Sequence, residues 1–293
     1  MKKGEIYEGV IEKVDFPNKG YVNIDGEKVI VKNGIPGQKV RFMINKKRSG
    51  RVEGRLLEVL EKSPLEVREP VCSIFPACGG CMYQTMSYEE QLKMKENQVK
   101  SLLQAAVGED VDLHWEGIHG SPIEFGYRNK MEFSFGDEFK DGPMTLGMHK
   151  RGSFYDIVTV DQCVLVHPDC CKILRATLDY FTEHGAVFYK KMAHVGYLRH
   201  LLVRRGVKTG EILVDLVTST QTEGTWKSDK NEEVLLEGWK EKLLGLDLEG
   251  SFAGILHTEN DSLADVVQND RTVILYGQDF FMEELLGLKF KIT

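Results

Sequence analysis

The fold of this chain is organised around one stretch, C-S-I-F-P-A-C-G-G-C at residues 72–81. Its three thiols are spaced C-x5-C-x2-C, and two thiolates two residues apart can bind the same ion or cluster. Gly79 and Gly80 let the backbone turn without side-chain clashes. Core cysteines do not need such a loop, and a thioredoxin-like C-x-x-C pair sits at the start of a helix. The stretch therefore predicts a metal or cluster site rather than core thiols or a redox pair.

Three thiols are one short of the four ligands that are usual for structural zinc or an iron–sulfur cluster. The fourth has to come from the remaining cysteines, which are Cys163, Cys170 and Cys171. Cys163 is preferred because it follows the apolar run 157–160, so that rigid structure can deliver it. Cys170 and Cys171 fall in the first turn of a helix predicted from His167 to Gly185, and we interpret them as buried or half-buried thiols.

Several motifs together resemble the RNA (uracil-5-)-methyltransferase family, whose members make 5-methyluridine in ribosomal or transfer RNA. They are the cysteine stretch with M-Y-Q after it, F-G-Y-R-N-K at 125–130 and the distant Cys163, in an order that matches from residue 1 to 293. The resemblance implies RNA, ribosomal RNA first of all, as the partner and S-adenosylmethionine as the methyl donor of the full enzyme. It also implies a [4Fe-4S] cluster, with zinc as the second choice, on Cys72, Cys78, Cys81 and Cys163.

The net charge of the chain taken alone argues against nucleic acid binding, but the distribution of charge does not. The net charge is −7, but residues 1–62 carry fourteen Lys/Arg against nine Asp/Glu, a net of +5, which leaves −12 for residues 63–293. A basic front and an acidic remainder predict a polarised molecule. No apolar run approaches the ~20 residues of a membrane span, and no signal peptide follows Met1. We therefore expect a soluble cytoplasmic protein, monomeric, with its six cysteines as thiols or metal ligands rather than disulfides.

Residues 1–62 alternate short β-like runs with turn signals. The runs Gly4–Val14 and Tyr21–Ile24 come first, and Asp25-Gly26 predicts a hairpin turn into the third. Five short strands in about sixty residues favour a closed barrel of oligonucleotide-binding type, and the resemblance implies a TRAM domain here. Basic side chains around the fourth strand and its turn are candidate RNA-phosphate contacts, although each also fits an ordinary solvated turn; they are Arg41, Lys46, Lys47 and Arg48.

A capping box follows the cysteine stretch, with Ser87 as N-cap and Glu90 three residues later. Apolar residues at helical spacing then predict an amphipathic helix that ends at Gly108 and has to pack its apolar face on another element. Further along, the period-two pattern from Tyr127 to Phe135 predicts a strand with Arg128 and Lys130 on the same face.

Two basic segments of the central region are candidate RNA contacts. Arg128 and Lys130 are preferred as such because they match a family motif, the alternative being a surface strand with Glu132 paired to Lys130. Residues 190–208 carry only basic charges, which fits either a solvated strand edge or an RNA-facing surface; the resemblance favours RNA contacts by Arg199, His200 and Arg204.

The fold class predicted from these patterns is α+β. The domains are a TRAM-like barrel at 1–62, a linker with the cluster loop and helix at 63–108, and an α+β central domain at 109–293. No G-x-G-x-x-G pattern, no cysteine after Cys171 and no proline after Pro168 are present. We therefore expect the S-adenosylmethionine-binding domain, with its nucleophilic cysteine, to be absent and the chain alone to be inactive. A stand-alone RNA-binding module and a redox or iron sensor are the competing hypotheses.

Overall fold

The computed structural model describes residues 1–108, 114–227, 231–263 and 270–293. Within them the fold is a mixture of α and β with three helices and fifteen strands, mostly strand. Contacts divide the chain into two units, residues 1–71 with 81–124 and residues 72–80 with 125–293. The segment predicted at 63–108 is thus shared between both units. The predicted domain boundary at 109 falls in 109–113, outside the described residues.

The first unit contains one six-stranded sheet with the order β1-β5-β6-β4-β3-β2. The predicted run Gly4–Val14 forms two strands, which are separated at the fully buried Ile11, whose N–H donates to the carbonyl of Gln38 at 2.9 Å. Asp25 and Gly26 both have positive φ angles, 50° and 82°, as a two-residue turn between right-twisted strands requires. The strands are β1 Ile6–Val10, β2 Lys13–Asp15, β3 Lys19–Ile24, β4 Glu27–Lys32, β5 Lys39–Arg48 and β6 Arg51–Glu61.

One face of this sheet forms the core of the unit. Val40, Phe42 and Ile44 alternate along β5 and are fully buried. Gly54 of β6 lies against the Phe42 ring, and a Cβ there would come within 2.6 Å of the ring carbon Cδ2. The Phe42 ring packs directly against the backbone of Gly54, so a side chain at this position would displace the ring.

The predicted helix is present as α1, Tyr88–Val107. Its N-cap is Ser87, whose hydroxyl accepts the N–H of Glu90 at 3.3 Å, and Gly108 ends it with a φ of 97°. None of its residues is buried, and Val99 and Leu102 are 42% and 52% exposed. The expectation that its apolar face packs on another element is thus not met within the described residues.

The second unit is built on a seven-stranded sheet with the order β13-β12-β11-β10-β7-β8-β9, antiparallel except for the pair β11–β12. Its main core contains Phe133, Phe181 and the fully buried Trp239, whose indole N–H donates to Thr177 Oγ1 at 3.1 Å. The elements are β7 Lys130–Asp137, β8 Met144–His149, β9 Ile157–Thr159, α2 Pro168–Glu183, β10 Leu198–Arg205, β11 Glu211–Thr218, α3 Glu232–Leu244, β12 Ser251–Glu259 and β13 Arg271–Gly277.

A hairpin of two strands, β14 Phe281–Leu285 and β15 Leu288–Ile292, follows the large sheet. Phe281 packs with Leu213 and Leu256 in a small cluster of its own, separate from the main core. None of the helices in the described part of the chain is long and apolar enough to cross a membrane.

Candidate functional site

The cysteine loop is held in place by the turn that follows β8. Cys78 forms an isolated antiparallel bridge with Lys150. The N–H of Gly79 donates to the carbonyl of His149 at 2.9 Å, and that of Arg151 donates to the carbonyl of Ala77 at 2.7 Å. Three residues of the loop therefore continue the backbone pairing of an ordered hairpin, which fixes Cys78 relative to the large sheet.

The glycine pair of the loop is explained by close packing. A Cβ on Gly79 would lie 3.0 Å from the carbonyl oxygen of His149, closer than side chains normally tolerate. The N–H of Gly80 donates to the sulfur of Cys78 at 3.3 Å. Backbone N–H donors to a thiolate sulfur stabilise its charged form, which is the form that binds metal.

Cys163 lies in the turn after β9, where its N–H donates to the carbonyl of Val160 at 3.2 Å. The preceding Gln162 accepts the hydroxyl of Ser73 at 3.1 Å, so the start of the cysteine loop lies beside this turn. Cys78 and Cys163 both pack against the main core of the second unit. The fold thus delivers Cys163 from a rigid strand end.

Cys170 and Cys171 are held as neutral thiols in the first turn of α2. Burial raises the pKa of Cys170 to about 12 and that of Cys171 to about 11. The Cys171 thiol donates to the Cys163 carbonyl at a sulfur–oxygen distance of 3.7 Å. Cys170 is buried in the main core and Cys171 is half-buried against it, which agrees with their interpretation as packing residues.

A metal site is not visible as a ready-made group of side chains. No three Cys, His, Asp or Glu residues of the described ranges are grouped in a way that would hold a metal ion. Cys72, Cys78 and Cys163 belong to the second unit, whereas Cys81 is counted with the first. The four-cysteine ligand set therefore stays a prediction from the sequence.

The predicted RNA contacts of the large sheet divide by exposure. Lys130 of β7 is exposed and pairs in register with the half-buried Arg204 of β10, so both lie on the same face. The strand predicted from Tyr127 begins only at Lys130. Arg128 precedes it in an isolated parallel bridge with Val166 and is exposed.

Arg199 and His200 are buried, with exposures of 5% and 4%. The Arg199 guanidinium donates to the carbonyl of Asn260 at 2.6 Å and lies over the ring of Tyr189, 4.4 Å from its centroid. His200 Nδ1 lies 3.3 Å from Ser134 Oγ. Both side chains are thus buried with their polar groups engaged inside the protein, and their role as RNA contacts stays a prediction from the resemblance.

The basic residues of the first unit are partly neutralised by neighbouring carboxylates. Arg41 donates to Glu8 Oε1 and Glu58 Oε2 at 2.8 and 2.7 Å, and its hydrogen bond with Glu8 raises its pKa. Lys47 pairs with Glu27 Oε1 at 2.9 Å. Lys46, Lys47 and Arg48 are exposed at the end of β5, where a phosphate can reach them, whereas Arg41 is held by two carboxylates.

A buried network next to α3 was not predicted from the sequence. The hydroxyl of Tyr197 donates to Glu232 Oε1 at 2.9 Å, and Thr218 Oγ1 lies 2.8 Å from His257 Nε2. Burial lowers the pKa of His257 to about 4 and raises that of Glu232. The imidazole is therefore neutral at physiological pH, and the network joins α3 to the sheet by hydrogen bonds.

Asp215 of β11 is a half-buried carboxylate that the sequence did not reveal, with its Oδ1 atom inaccessible to solvent. Its Oδ2 accepts the hydroxyl of Thr258 at 3.0 Å, whereas no hydrogen-bond donor reaches Oδ1 from the described residues. Burial raises its pKa to about 6, against the opposing effects of Thr258 and Arg204. The charged form of this side chain is thus poorly stabilised in the folded state.

We expect Asp215→Asn to raise the free energy of unfolding at pH 7.5 by about 1–3 kcal/mol. When Asp215 is protonated in both the folded and the unfolded state, its raised pKa does not affect the free energy of unfolding. As pH rises from the ordinary pKa of an aspartate to about 6, the unfolded state loses the proton first, and the free energy of unfolding falls. Urea unfolding at pH 3.5 and pH 7.5 measures this, with the gain present only at the higher pH. Asp179→Asn, at a side chain 60% exposed, is the control. A loss of stability at pH 7.5 would contradict the prediction.

Curated proteins with similar sequences are named RNA methyltransferases. A protein of Clostridium tetani described as an uncharacterized RNA methyltransferase is 45% identical over all 293 residues of this chain, which cover 61% of that protein. One of Caldanaerobacter subterraneus, described in the same way, is 42% identical over the whole chain and 62% of its own length. The chain is similar to proteins named RNA methyltransferases. It spans about six-tenths of the length of these relatives.

The fold has a counterpart among solved structures. The tRNA (uracil-54, C5)-methyltransferase of Pyrococcus abyssi, solved in complex with S-adenosyl-L-homocysteine, superimposes with a TM-score of 0.65 over 97% of this chain and 59% of that protein. Sequence identity between the two is 22%, so the match concerns the fold. No family model matches the chain.

Proposed function

We propose that this chain is the RNA-recognition part of an S-adenosylmethionine-dependent RNA (uracil-5-)-methyltransferase that acts on ribosomal RNA. The observation that carries the proposal is the similarity, over all 293 residues, to proteins named RNA methyltransferases. The shared fold with a tRNA uracil methyltransferase points to the same base and the same carbon atom. In the first unit, we propose that the six-stranded sheet is the TRAM-type barrel expected at residues 1–62.

We propose that the RNA phosphates are bound by the exposed basic residues of both units. In the second unit, Arg128 and Lys130 are exposed at the start of β7 and Arg204 is opposite Lys130. Such contacts position the RNA without reading its sequence. In the first unit, the exposed end of β5 with Lys46, Lys47 and Arg48 supplies similar groups.

We propose that the cysteine loop binds a [4Fe-4S] cluster through Cys72, Cys78, Cys81 and Cys163, with zinc as the second choice. The donor set fits, because four thiolates are the usual ligands of either group. The N–H of Gly80 at the Cys78 sulfur is the kind of backbone hydrogen bond that supports a cluster ligand. When bound, the group would act as a structural staple between the loop and the turn after β9.

Methyl transfer itself is assigned to the part of the relatives that this chain does not match. The expected route in the full enzyme is addition of a cysteine thiolate to C6 of uracil and transfer of the methyl group of S-adenosylmethionine to C5, which leaves S-adenosylhomocysteine. A carboxylate then removes the C5 proton, and the thiolate leaves C6. The roles left to this chain are to bind and orient RNA. Incubating the chain with S-adenosylmethionine and unmodified ribosomal RNA should give no 5-methyluridine, and product formation would contradict this assignment.

The double substitution Arg128→Ala/Lys130→Ala is expected to weaken RNA binding by about 10-fold at 100 mM salt, since each lost phosphate contact removes a counterion-release contribution. The slope of log affinity against log salt should become less steep by about 1.4 units for the two contacts. Fluorescence anisotropy with a labelled ribosomal RNA fragment measures both quantities.

The matched control for that experiment is Lys242→Ala. Lys242 is an exposed lysine in the last turn of α3, on the helix side of the large sheet. Its removal changes the net charge of the second unit without touching the proposed surface. An equal loss of affinity in the control would mean that overall charge, not the face with Lys130, governs binding.

A further inference from the structure

Exposed aromatic rings lie on the turn between β8 and β9. Phe154 and Tyr155 are 61% and 52% exposed and pack edge to face, with ring centroids 5.1 Å apart. On its other side Phe154 stacks on His149, with centroids 6.0 Å apart and an angle of 26° between the rings. These rings and their neighbours are called the Phe154 patch, which comprises Phe75, His149, Arg151, Phe154, Tyr155, Lys191 and Met192.

The turn that carries these rings is rigid. The hydroxyl of Ser153 accepts the N–H groups of Tyr155 and Asp156 at 3.3 and 3.1 Å. The N–H of Lys150 donates to the carbonyl of Asp156 at 2.8 Å, and that of Arg151 donates to the cysteine loop. A ring on an ordered turn loses little entropy when a partner stacks on it.

Two cations lie against rings of the patch, one against the exposed Phe154 and one against the half-buried Phe75. Lys191 Nζ lies 5.4 Å from the centroid of Phe154, and the guanidinium of Arg151 lies 5.2 Å from that of Phe75. Besides the cysteine loop with Phe75, the patch is formed by residues 149–155 and 190–195, which carry four Lys or Arg and no Asp or Glu. Acidic neighbours are present at its edge, since Lys150 pairs with Glu138 at 3.4 Å and Lys190 with Asp141 at 3.6 Å.

Solvent-exposed aromatic faces beside cations match the chemistry of unpaired nucleotides. Each base offers a π face to a ring, and its phosphate offers a negative charge to a neighbouring lysine or arginine. A paired base in an RNA helix is stacked on its neighbours and cannot reach Phe154. A protein partner would use the apolar surface of Tyr155 and Met192, but the cations grouped around the rings favour a polyanion.

We infer that the Phe154 patch is a stacking platform for unpaired bases of the RNA substrate. This inference rests on the proposed function, because it names the kind of RNA that the chain recognises. A single-stranded loop or an extruded base next to the target uridine is the form of RNA that fits. The bases stack on Phe154 and Tyr155, and Arg151 and Lys191 contact the adjoining phosphates.

The test compares Phe154→Leu with Phe154→Trp. Leucine keeps the apolar bulk that a protein contact would use but lacks a π face, whereas tryptophan keeps and enlarges the face. Anisotropy titrations use a labelled uridine-rich single-stranded RNA and a fully paired RNA duplex with the same number of phosphates. We expect Phe154→Leu to weaken single-strand binding by about 10- to 100-fold. Phe154→Trp should bind as the wild type does, with its new tryptophan fluorescence quenched by the bases, and the affinity of every variant for the duplex should be unchanged.

The outcomes separate the inference from the proposed function. Equal single-strand affinities of the wild type and Phe154→Leu would overturn the inference and leave the patch as a surface for a protein partner. An equal loss for the fully paired duplex would also overturn it, because stacking would then not distinguish unpaired bases. No RNA binding by the wild-type chain would overturn the proposed function, and the inference with it. Since Phe154 is exposed, circular dichroism should show the same fold in all variants.

Discussion

Asp169→Ala is expected to lower the free energy of unfolding at pH 7 by about 3–5 kcal/mol. Asp169, in the first turn of α2, is 1% exposed. It accepts the N–H groups of Glu249 and Gly250 at 3.0 and 2.9 Å and pairs with Arg205 Nε at 3.3 Å. Alanine would leave two backbone donors without their acceptor and a nearly buried guanidinium without its close carboxylate.

The same side chain predicts how this loss depends on pH. Burial acts to raise the pKa of Asp169, but the N–H groups of Gly250 and Glu249, with His167 and Arg205, outweigh it and lower the pKa on balance. A carboxyl with a lowered pKa stabilises the fold above its ordinary pKa and loses that contribution as pH falls through the folded-state pKa. The difference between wild type and variant should therefore shrink below about pH 4.

Urea unfolding of Asp169→Ala and of Asp179→Ala measures the effect. Asp179 lies on the same helix but is 60% exposed, and it pairs with Arg175 at 2.9 Å across one helical turn. Its replacement should cost about 0.5 kcal/mol or less. If Asp169→Ala lowered the free energy of unfolding no more than Asp179→Ala does, the hydrogen bonds of Asp169 to the residues before β12 would not stabilise the fold as described.

Cys163→Ser is expected to abolish cluster binding altogether. A serine hydroxyl at neutral pH is protonated and cannot replace a thiolate ligand, and three thiolates are one short of the set that holds a [4Fe-4S] cluster. Protein purified without oxygen should carry about four iron and four sulfide per chain in the wild type. The variant should lose both, together with the broad visible absorbance.

Cys171→Ser is the matched control for this experiment. The Cys171 thiol donates to the carbonyl of Cys163, and a serine hydroxyl can make the same hydrogen bond. Its sulfur already donates to the carbonyls of Val160 and Cys163, so we expect iron and sulfide to be retained. If Cys171→Ser lost its iron and Cys163→Ser kept it, the fourth ligand would be Cys171 and the assignment to Cys163 would be wrong. If the wild type contained one zinc ion per chain and no iron, the four cysteines would remain the proposed ligands, but of zinc instead of a cluster.

Local features of the fold were predictable from the sequence because their signals act over a few residues. The Ser87 cap and the Gly108 end of α1 were confirmed, as was the hairpin turn at Asp25-Gly26. The helix predicted from His167 is present with His167 as its N-cap. The strand β14 was missed, because its sequence Phe281–Leu285 has no regular alternation of polar and apolar residues.

The functional residues were harder to predict, since their environment is set by distant parts of the chain. Arg199 fits a basic surface strand in the sequence, but its guanidinium is buried against Tyr189 and the carbonyl of Asn260, sixty-one residues away. Asp169 accepts N–H groups from residues about eighty positions later. Nothing in the local sequence distinguishes such a carboxylate from an ordinary helix-start aspartate.

The cysteine loop shows both sides of this limit. Its glycines signalled a tight backbone path, and Gly79 does approach the carbonyl of His149 closely. The pairing of Cys78 with Lys150 was not visible, because it depends on the turn after β8 seventy-two residues later. The role of Phe154 and Tyr155 in that turn was not predicted for the same reason, because their neighbour Lys191 comes from a distant segment of the chain.

The most direct test of the account is a titration of the wild-type chain with labelled single-stranded RNA at several salt concentrations. If the chain recognises RNA, affinity should fall as salt rises, with a slope of about −0.7 for each phosphate contacted. A DNA duplex with the same number of phosphates should bind more weakly, because it offers no unpaired bases. Failure to bind RNA at low salt, or tighter binding to the DNA duplex, would contradict the central claim.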